Sequence, residues 1–196
     1  MRCTPEGVPI PPDPPAFLTT QMFLLWAERQ EGLWEMVEGR AQFLLPVTMR
    51  VSALRSGFLV AFHERIDRSR RDMAHNFGVQ TGSLTVRSPN LVVDAGKIDD
   101  DAQVAPRPVL VLEVPKDDLP STELDERLAE YRALPSIRYI LVADAHRVCV
   151  RFERRYGSTW TVSHAQHADD VVDLPELEMS IPITVAYRGL IEEGWV

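Results

Sequence analysis

Apolar residues in this chain fall into short blocks divided by polar turns. Leu91-Val92-Val93 and Val109 to Val114 are nearly unbroken runs of Val and Leu, the pattern of strands covered on both faces, and Ile137 to Ala143 is a third. Leu33 to Leu45 reads as two strands around a Glu38-Gly39 turn, and Phe77 to Arg87 as a strand region. The stretch Arg147 to Glu153 alternates polar and apolar, with strand-like Thr159 to Ser163 after it, which predicts a sheet with one wet face.

Helical spacing appears between these blocks. Thr19 or Thr20 caps a predicted helix running to about Gln30, with Phe23, Leu24 and Ala27 on its core side. A longer helix spans Arg50 to about Arg68. Ser121 or Thr122 opens another, closed before Pro135, whose apolar stripe is Leu124, Leu128, Tyr131 and Leu134. A last helix covers Ile183 to Leu190. Helices interleaved with mixed strands predict an α/β or α+β domain with a mixed central sheet. Residues 1–16 hold Pro5, Pro9, Pro11, Pro12, Pro14 and Pro15 and read as an extended arm, followed by one domain over 17–196.

The two central runs fix a register. A hairpin that sets Asp94 against Val109 also sets Asn90 against Glu113, because a step back on one strand is a step forward on the other. Directly opposed Cβ atoms lie roughly 4.5 to 5.5 Å apart, near enough to share a hydrated divalent cation. Asp94 shares the strand face of Asn90 but lies roughly 13 Å away along it, too far to take its place.

With 196 residues the chain can bury roughly 70% of its unfolded surface without a disulfide or structural metal. No apolar run approaches the ~18 residues that span a bilayer, and the N-terminus lacks an export signal, so a cytoplasmic protein is expected. Cys3 and Cys149 are isolated and read as structural. The net charge of −8 works against binding a polyanion. Its densest basic segment, Arg65 to Arg71, is either a phosphate contact or a helix C-terminus favoured by cations. His164 and His167 stand beside Asp169 and Asp170, where a metal could bind opportunistically or the turn could simply be solvated; His63 and His75 have no ligand spacing.

Four positions converge in this reading: Glu35 on the first strand, Asn90 and Glu113 on the central hairpin, and Arg127 within about 60° of the apolar stripe of its helix. Glu113 carries the sharpest signal, since a carboxylate closing a Val and Leu run is costly to bury unless paired or bound to metal; the alternative is solvation at a sheet edge. Asn90 in Ser88-Pro89-Asn90 also fits ordinary turn chemistry. Glu35 and Arg127 taken singly would be surface residues.

The stretches Leu18-Thr19-Thr20, WEMVEGR (34–40), SPNLVV (88–93), VLVLEV (109–114), LDERLAEYRALPSIRYILVAD (124–144) and LPELEMSIPI (174–183) resemble, in order and spacing over 17–190, the bacterial family of small restriction-endonuclease-like proteins within the PD-(D/E)XK superfamily. The resemblance implies a restriction-endonuclease-like fold, a catalytic Mg²⁺ or Mn²⁺, and hydrolysis of a DNA phosphodiester. It places the family's first acidic residue on Glu35, its metal-binding aspartate on Asn90, its second metal carboxylate on Glu113 and its helix lysine on Arg127. It thus implies Asn90 and Glu113 as metal ligands, with Glu35 and Arg127 completing the catalytic set. Arg40 stands where relatives carry glutamate, and no histidine lies between Thr48 and Leu54.

Asn90 keeps an oxygen but loses a full charge, which lowers affinity for a hard cation. Arg127 keeps positive charge but cannot accept a proton. The expectation is a nuclease-like protein with impaired hydrolysis. Its competitors are a non-catalytic binding or assembly module, such as a homodimer whose partner surface is the proline arm with aromatics exposed at Trp26 and Trp34, and a different metal-dependent hydrolase on the same scaffold acting on nucleotides or RNA.

Overall fold

The central hairpin takes the expected register: Leu91 pairs Leu112, Val92 pairs Val111 and Val93 pairs Leu110. A bulge then sets Asp94 against Pro108 rather than Val109. The buried Asp94 carboxylate accepts N–H bonds from Gly96 and Arg107, at 3.0 and 2.7 Å, so it holds the turn after its own strand.

The computed structural model describes residues 14–116 and 119–196 and the backbone of 2–3 and 9–10. Its elements are β1 (Arg2–Cys3), β2 (Pro9–Ile10), α1 (Thr20–Ala27), β3 (Leu33–Val37), β4 (Arg40–Leu44), α2 (Met49–His63), β5 (Met73–Ala74), β6 (Val79–Gly82), β7 (Thr85–Arg87), β8 (Leu91–Asp94), β9 (Pro108–Glu113), α3 (Ser121–Ala133), β10 (Tyr139–Ala143), β11 (Val150–Tyr156), β12 (Thr159–Ala165), β13 (Val171–Leu174), β14 (Met179–Pro182), α4 (Ile183–Ala186) and α5 (Arg188–Glu192). Most of the proline-rich arm, and the Cys3 side chain, lie outside the described residues.

The main sheet has the order β12-β11-β10-β9-β8-β5 and is mixed, with β9 and β10 parallel and the other pairs antiparallel. Its two faces follow from the period of two. Leu91, Val93, Leu110, Leu112, Tyr139 and Leu141 meet Leu54, Phe58 and Phe62 of α2, while Val92, Val111 and Ile140 meet Leu128 and Tyr131 of α3. Each such Leu, Val or Phe contributes about 1.5–3 kcal/mol by leaving water. Glu113 follows Val111 by two residues and therefore belongs to the layer under α3. A mixed sheet flanked by helices is the architecture expected from the sequence.

A smaller sheet, β4-β3-β7-β6, stands beside it. The β3–β4 turn has positive φ at both Glu38 and Gly39, as a two-residue hairpin turn requires. Thr19 caps α1 by accepting the Met22 N–H, and Phe23 of this helix packs with Trp34, Met36 and Val86. Trp34 is buried, edge-on to Trp26 at 4.8 Å and to Phe43 at 5.0 Å. It is core, not the exposed aromatic expected from the sequence. Ser88-Pro89-Asn90 carries the chain from β7 in the small sheet to β8 in the large one.

Other elements depart from expectation. Helix α2 ends at His63, so the Arg65–Arg71 cations follow it in turns, where Arg65 donates to Ala61 O, Arg70 pairs with Glu178 and Arg71 donates to Glu176 O. Strand β11 begins at Val150, and its Glu153 is fully buried between Arg132 and Arg151, so its face is not uniformly wet. The last helix breaks at Tyr187 into α4 and α5, and β13 and β14 form a hairpin without clear alternation in sequence. Gly57 lets α2 approach α4: a Cβ there would overlap the carbonyl oxygen of Ala186.

Candidate functional site

Where the two sheets meet under α3, the structure brings three of the four expected side chains into direct contact. Glu35 on β3 is 1% exposed, Glu113 at the end of β9 6% and Arg127 on α3 5%. Arg127 donates Nη2–H to Glu35 Oε1 at 2.8 Å and Nη1–H to Glu35 Oε2 at 3.1 Å, and also Nη1–H to Glu113 Oε1 at 3.4 Å. Its side chain emerges one helical position from buried Leu128, which is why a residue that looks like surface in the sequence points into the sheet seam.

The fourth, Asn90, comes to the rim. It sits one residue before β8 and opposite Glu113 when the register is continued, but its Oδ1 accepts the Val114 N–H. Arg55 on α2 donates to the Val114 carbonyl at 3.0 Å, so both polar groups of that backbone position are held from the side. A narrow cleft of about 90 Å³ opens here, lined by Asn90, Glu113, Arg127, Arg55, Ser88 and Glu123 among others.

The network extends to residues the sequence reading passed over. Arg87, 2% exposed at the end of β7, donates to Glu35 Oε1 at 3.1 Å and makes a two-pronged pair with Glu130 of α3 at 2.6 and 2.8 Å. Thr81 adds a bond to Glu130 at 2.8 Å. Tyr131, fully buried, donates its O–H to Glu113 Oε1 at 2.7 Å. Arg87 ends the short strand β7, and Glu130 lies three positions from Arg127 on α3.

These contacts set the proton affinities. Burial raises the Glu113 carboxyl above its usual range, with Arg127 and the Tyr131 hydroxyl opposing. Burial also raises Tyr131, and the Glu113 carboxylate beside it adds to the effect. For Arg127 burial opposes the charge, yet Glu113 and Glu35 outweigh it and the guanidinium is held more firmly protonated than usual. For Glu130 burial is outweighed by the Arg87 bonds, which bring it below the usual carboxylate range.

The divalent cation implied by the resemblance does not fit this arrangement. Both Glu35 oxygens are engaged by two guanidiniums, with a longer contact from the Ser88 N–H at 3.4 Å, and one Glu113 oxygen is engaged by Arg127 and Tyr131. Arg87 and Arg127 meet Glu35, Glu113 and Glu130, Arg55 stands near Glu113, and the more exposed Glu123 also pairs with Arg127 at 3.5 Å. The buried carboxylates thus already face guanidiniums where a hard cation would have to be drawn out of water. The buried polar atoms here without a hydrogen-bond partner among the described residues are Arg55 Nε, Arg127 Nε and Ser88 Oγ, two of them donors only. Among the described residues no three His, Cys, Asp or Glu side chains converge as a metal site, including those near His164 and Asp170. Asp170 instead accepts the Gln166 and His167 N–H groups of its own turn.

No protein-family model and no curated protein matches the chain. The fold is similar to a solved structure described as a putative nuclease belonging to DUF820 from Anabaena variabilis, with a TM-score of 0.69 and 15% identity over 88% of this chain and 99% of that one. Likeness at that identity is likeness of fold. No described helix is long and apolar enough to cross a membrane.

Proposed function

We propose that this is a restriction-endonuclease-like protein of the PD-(D/E)XK type whose metal-dependent hydrolysis of DNA is impaired. The supporting observation is the Arg127 guanidinium lying between Glu35 and Glu113, at 2.8 and 3.4 Å, where the catalytic arrangement requires its carboxylates to face a cation. The nuclease description of the structural neighbour supports the scaffold half of this reading. The Asn90 amide, which lacks the charge of a carboxylate, supports the impaired half, as does the pairing of the buried carboxylates with guanidiniums.

In this reading the chain's own groups act as follows. Glu35 and Glu113 fix the position of Arg127, Tyr131 holds Glu113 in place, and Arg87 ties Glu35 to α3 through Glu130. Arg127 stays protonated and so can neutralise a phosphate but cannot take a proton from water. A supercoiled plasmid incubated with Mg²⁺ or Mn²⁺ tests the proposal. Intact plasmid, or nicking no stronger than that of the Glu113→Ala variant, is expected; robust nicking that Glu113→Ala abolishes overturns it.

A second reading, a non-catalytic homodimer, is favoured by β12. This outer strand of the main sheet is mostly exposed over seven residues and carries no proline, lysine or arginine to discourage pairing with another chain. Sedimentation together with calorimetric Mg²⁺ titration separates the two: a stable dimer without metal affinity supports assembly.

A further inference from the structure

A second, larger cleft of about 450 Å³ lies beyond the carboxyl ends of the parallel strands β9 and β10. Crevices in this position, outside the carboxyl ends of parallel strands, are where α/β sheets commonly take ligands, and volumes of roughly 300–1,000 Å³ suit small organic molecules. Part of its lining continues the sheet row that contains Glu113. Glu113 pairs Val142, Val142 pairs Arg151 and Arg151 pairs His164, so all four side chains leave the same face. Arg151 is two strand spacings from Glu113, about 10 Å.

The chemistry of the lining is two-sided. Leu124, Val142 and Ala145 provide an apolar wall, while Arg151, His164 and Gln166 provide polar donors. Guanidiniums gather at the polar side. Glu153 is fully buried and takes two bonds of 2.7 Å from Arg132 and one contact of 2.7 Å from Arg151, so two guanidiniums share one carboxylate. Asp144 and Arg147 cancel as a pair at 2.8 Å. Lys116 also lines the cleft. The side chain of Arg151 is one-third exposed, and its buried Nε has no hydrogen-bond partner among the described residues. Asp125 also acts on Arg132 and Asp170 accepts the Gln166 N–H, so the feature of this lining is Arg151 itself, a partly covered guanidinium with an unpartnered Nε beside an apolar wall.

We infer that this cleft binds a small organic phosphate of nucleotide size, its phosphate held by Arg151, His164 and Gln166 and its apolar body against Leu124 and Val142. Guanidinium and phosphate match in charge and in forked geometry, and neither Arg132 nor Glu153 need move. The inference does not depend on whether the Glu35–Arg127–Glu113 network hydrolyses anything.

The probes are AMP, adenosine and inorganic phosphate, titrated calorimetrically into the full chain, with histidine side-chain NMR signals followed in parallel. AMP is expected to bind one to one and at least tenfold more tightly than either fragment, moving the His146 and His164 signals but not that of His63. Arg151→Gln, which leaves Glu153 paired with Arg132, should weaken AMP at least tenfold without changing Tm by more than a few degrees. Leu124→Trp should weaken it similarly by filling the cleft without altering charge. Absence of AMP binding, binding that survives both variants, signals that move only elsewhere, or binding of a DNA duplex without binding of AMP each overturns the proposal.

Discussion

Arg127 grips Glu35 with both arms of its guanidinium, at 2.8 and 3.1 Å, in a seam where neither side chain exceeds 6% exposure. The pair joins the helix above the large sheet to a strand of the small one. Removing one member of a buried pair leaves the other charge uncompensated, and that cost exceeds the net worth of the pair itself.

Arg127→Ala should therefore destabilise the fold by about 3–5 kcal/mol at neutral pH, measured by urea unfolding. Two adjacent carboxylates would be left in low dielectric. Millimolar Mg²⁺ should raise the Tm of this variant and leave that of the parent unchanged. A parent stabilised by Mg²⁺ as much as the variant would show that Arg127 does not block the carboxylates.

Asn90→Asp alone should not create measurable Mg²⁺ affinity in a calorimetric titration. The new carboxylate would keep the Val114 N–H bond, and Arg127 would still occupy Glu35 and Glu113. The double variant Asn90→Asp, Arg127→Ala should bind. Affinity in the single variant would mean that the charge at position 90, not the guanidinium, is the deciding change.

Glu113 gives a pH signature. Burial, opposed by Arg127, raises its carboxyl above the usual range, so the folded chain binds that proton more tightly than the unfolded chain does. Such a group stabilises the fold fully below the ordinary carboxylate value of 4.5, and the contribution is lost as pH rises through the raised value. Glu113→Gln cannot titrate and keeps an oxygen for the Tyr131 hydroxyl. It should match the parent or exceed it by about 1 kcal/mol at pH 7, with the advantage shrinking as pH falls toward 4.5. An advantage that grows on acidification would reverse the assigned direction.

Gly57→Ala should destabilise by about 1–3 kcal/mol or more, because the added methyl meets the backbone carbonyl of Ala186 rather than a movable side chain. Gly189→Ala, with open space around the added atom, serves as the control in the same thermal melts.

The sheet was legible where residue type and period agreed. The Val and Leu runs at 91–93 and 109–114 set a register that holds until the Asp94 bulge, whereas the Asn90 side chain turns to the Val114 N–H. Glu113 and Arg127 were legible because one ends its strand and the other borders the apolar stripe of its helix, whereas Glu35 lies in the middle of β3 and was marked by the motif around it. Their mutual pairing was not. Nothing in the spacing of Arg87 or Glu130 says that they meet, since β7 is three residues long and Glu130 belongs to a helix rich in charge. Glu153 misled for a similar reason: alternation implies a wet position, while Arg132 arrives from α3 to neutralise it. Trp34 looked free because the cover supplied by Trp26 and Phe43 comes from neighbouring elements.

The three-residue passage Ser88-Pro89-Asn90 has a mechanical consequence. Arg87 is anchored on one side of it by ion pairs and Asn90 on the other by the Val114 amide, so the hinge is clamped at both ends. Neither sheet can peel away without dragging a charged knot into the open. Amide exchange in β3 and in β9 should accordingly report a single opening event, with the smaller layer breathing no more freely than the larger.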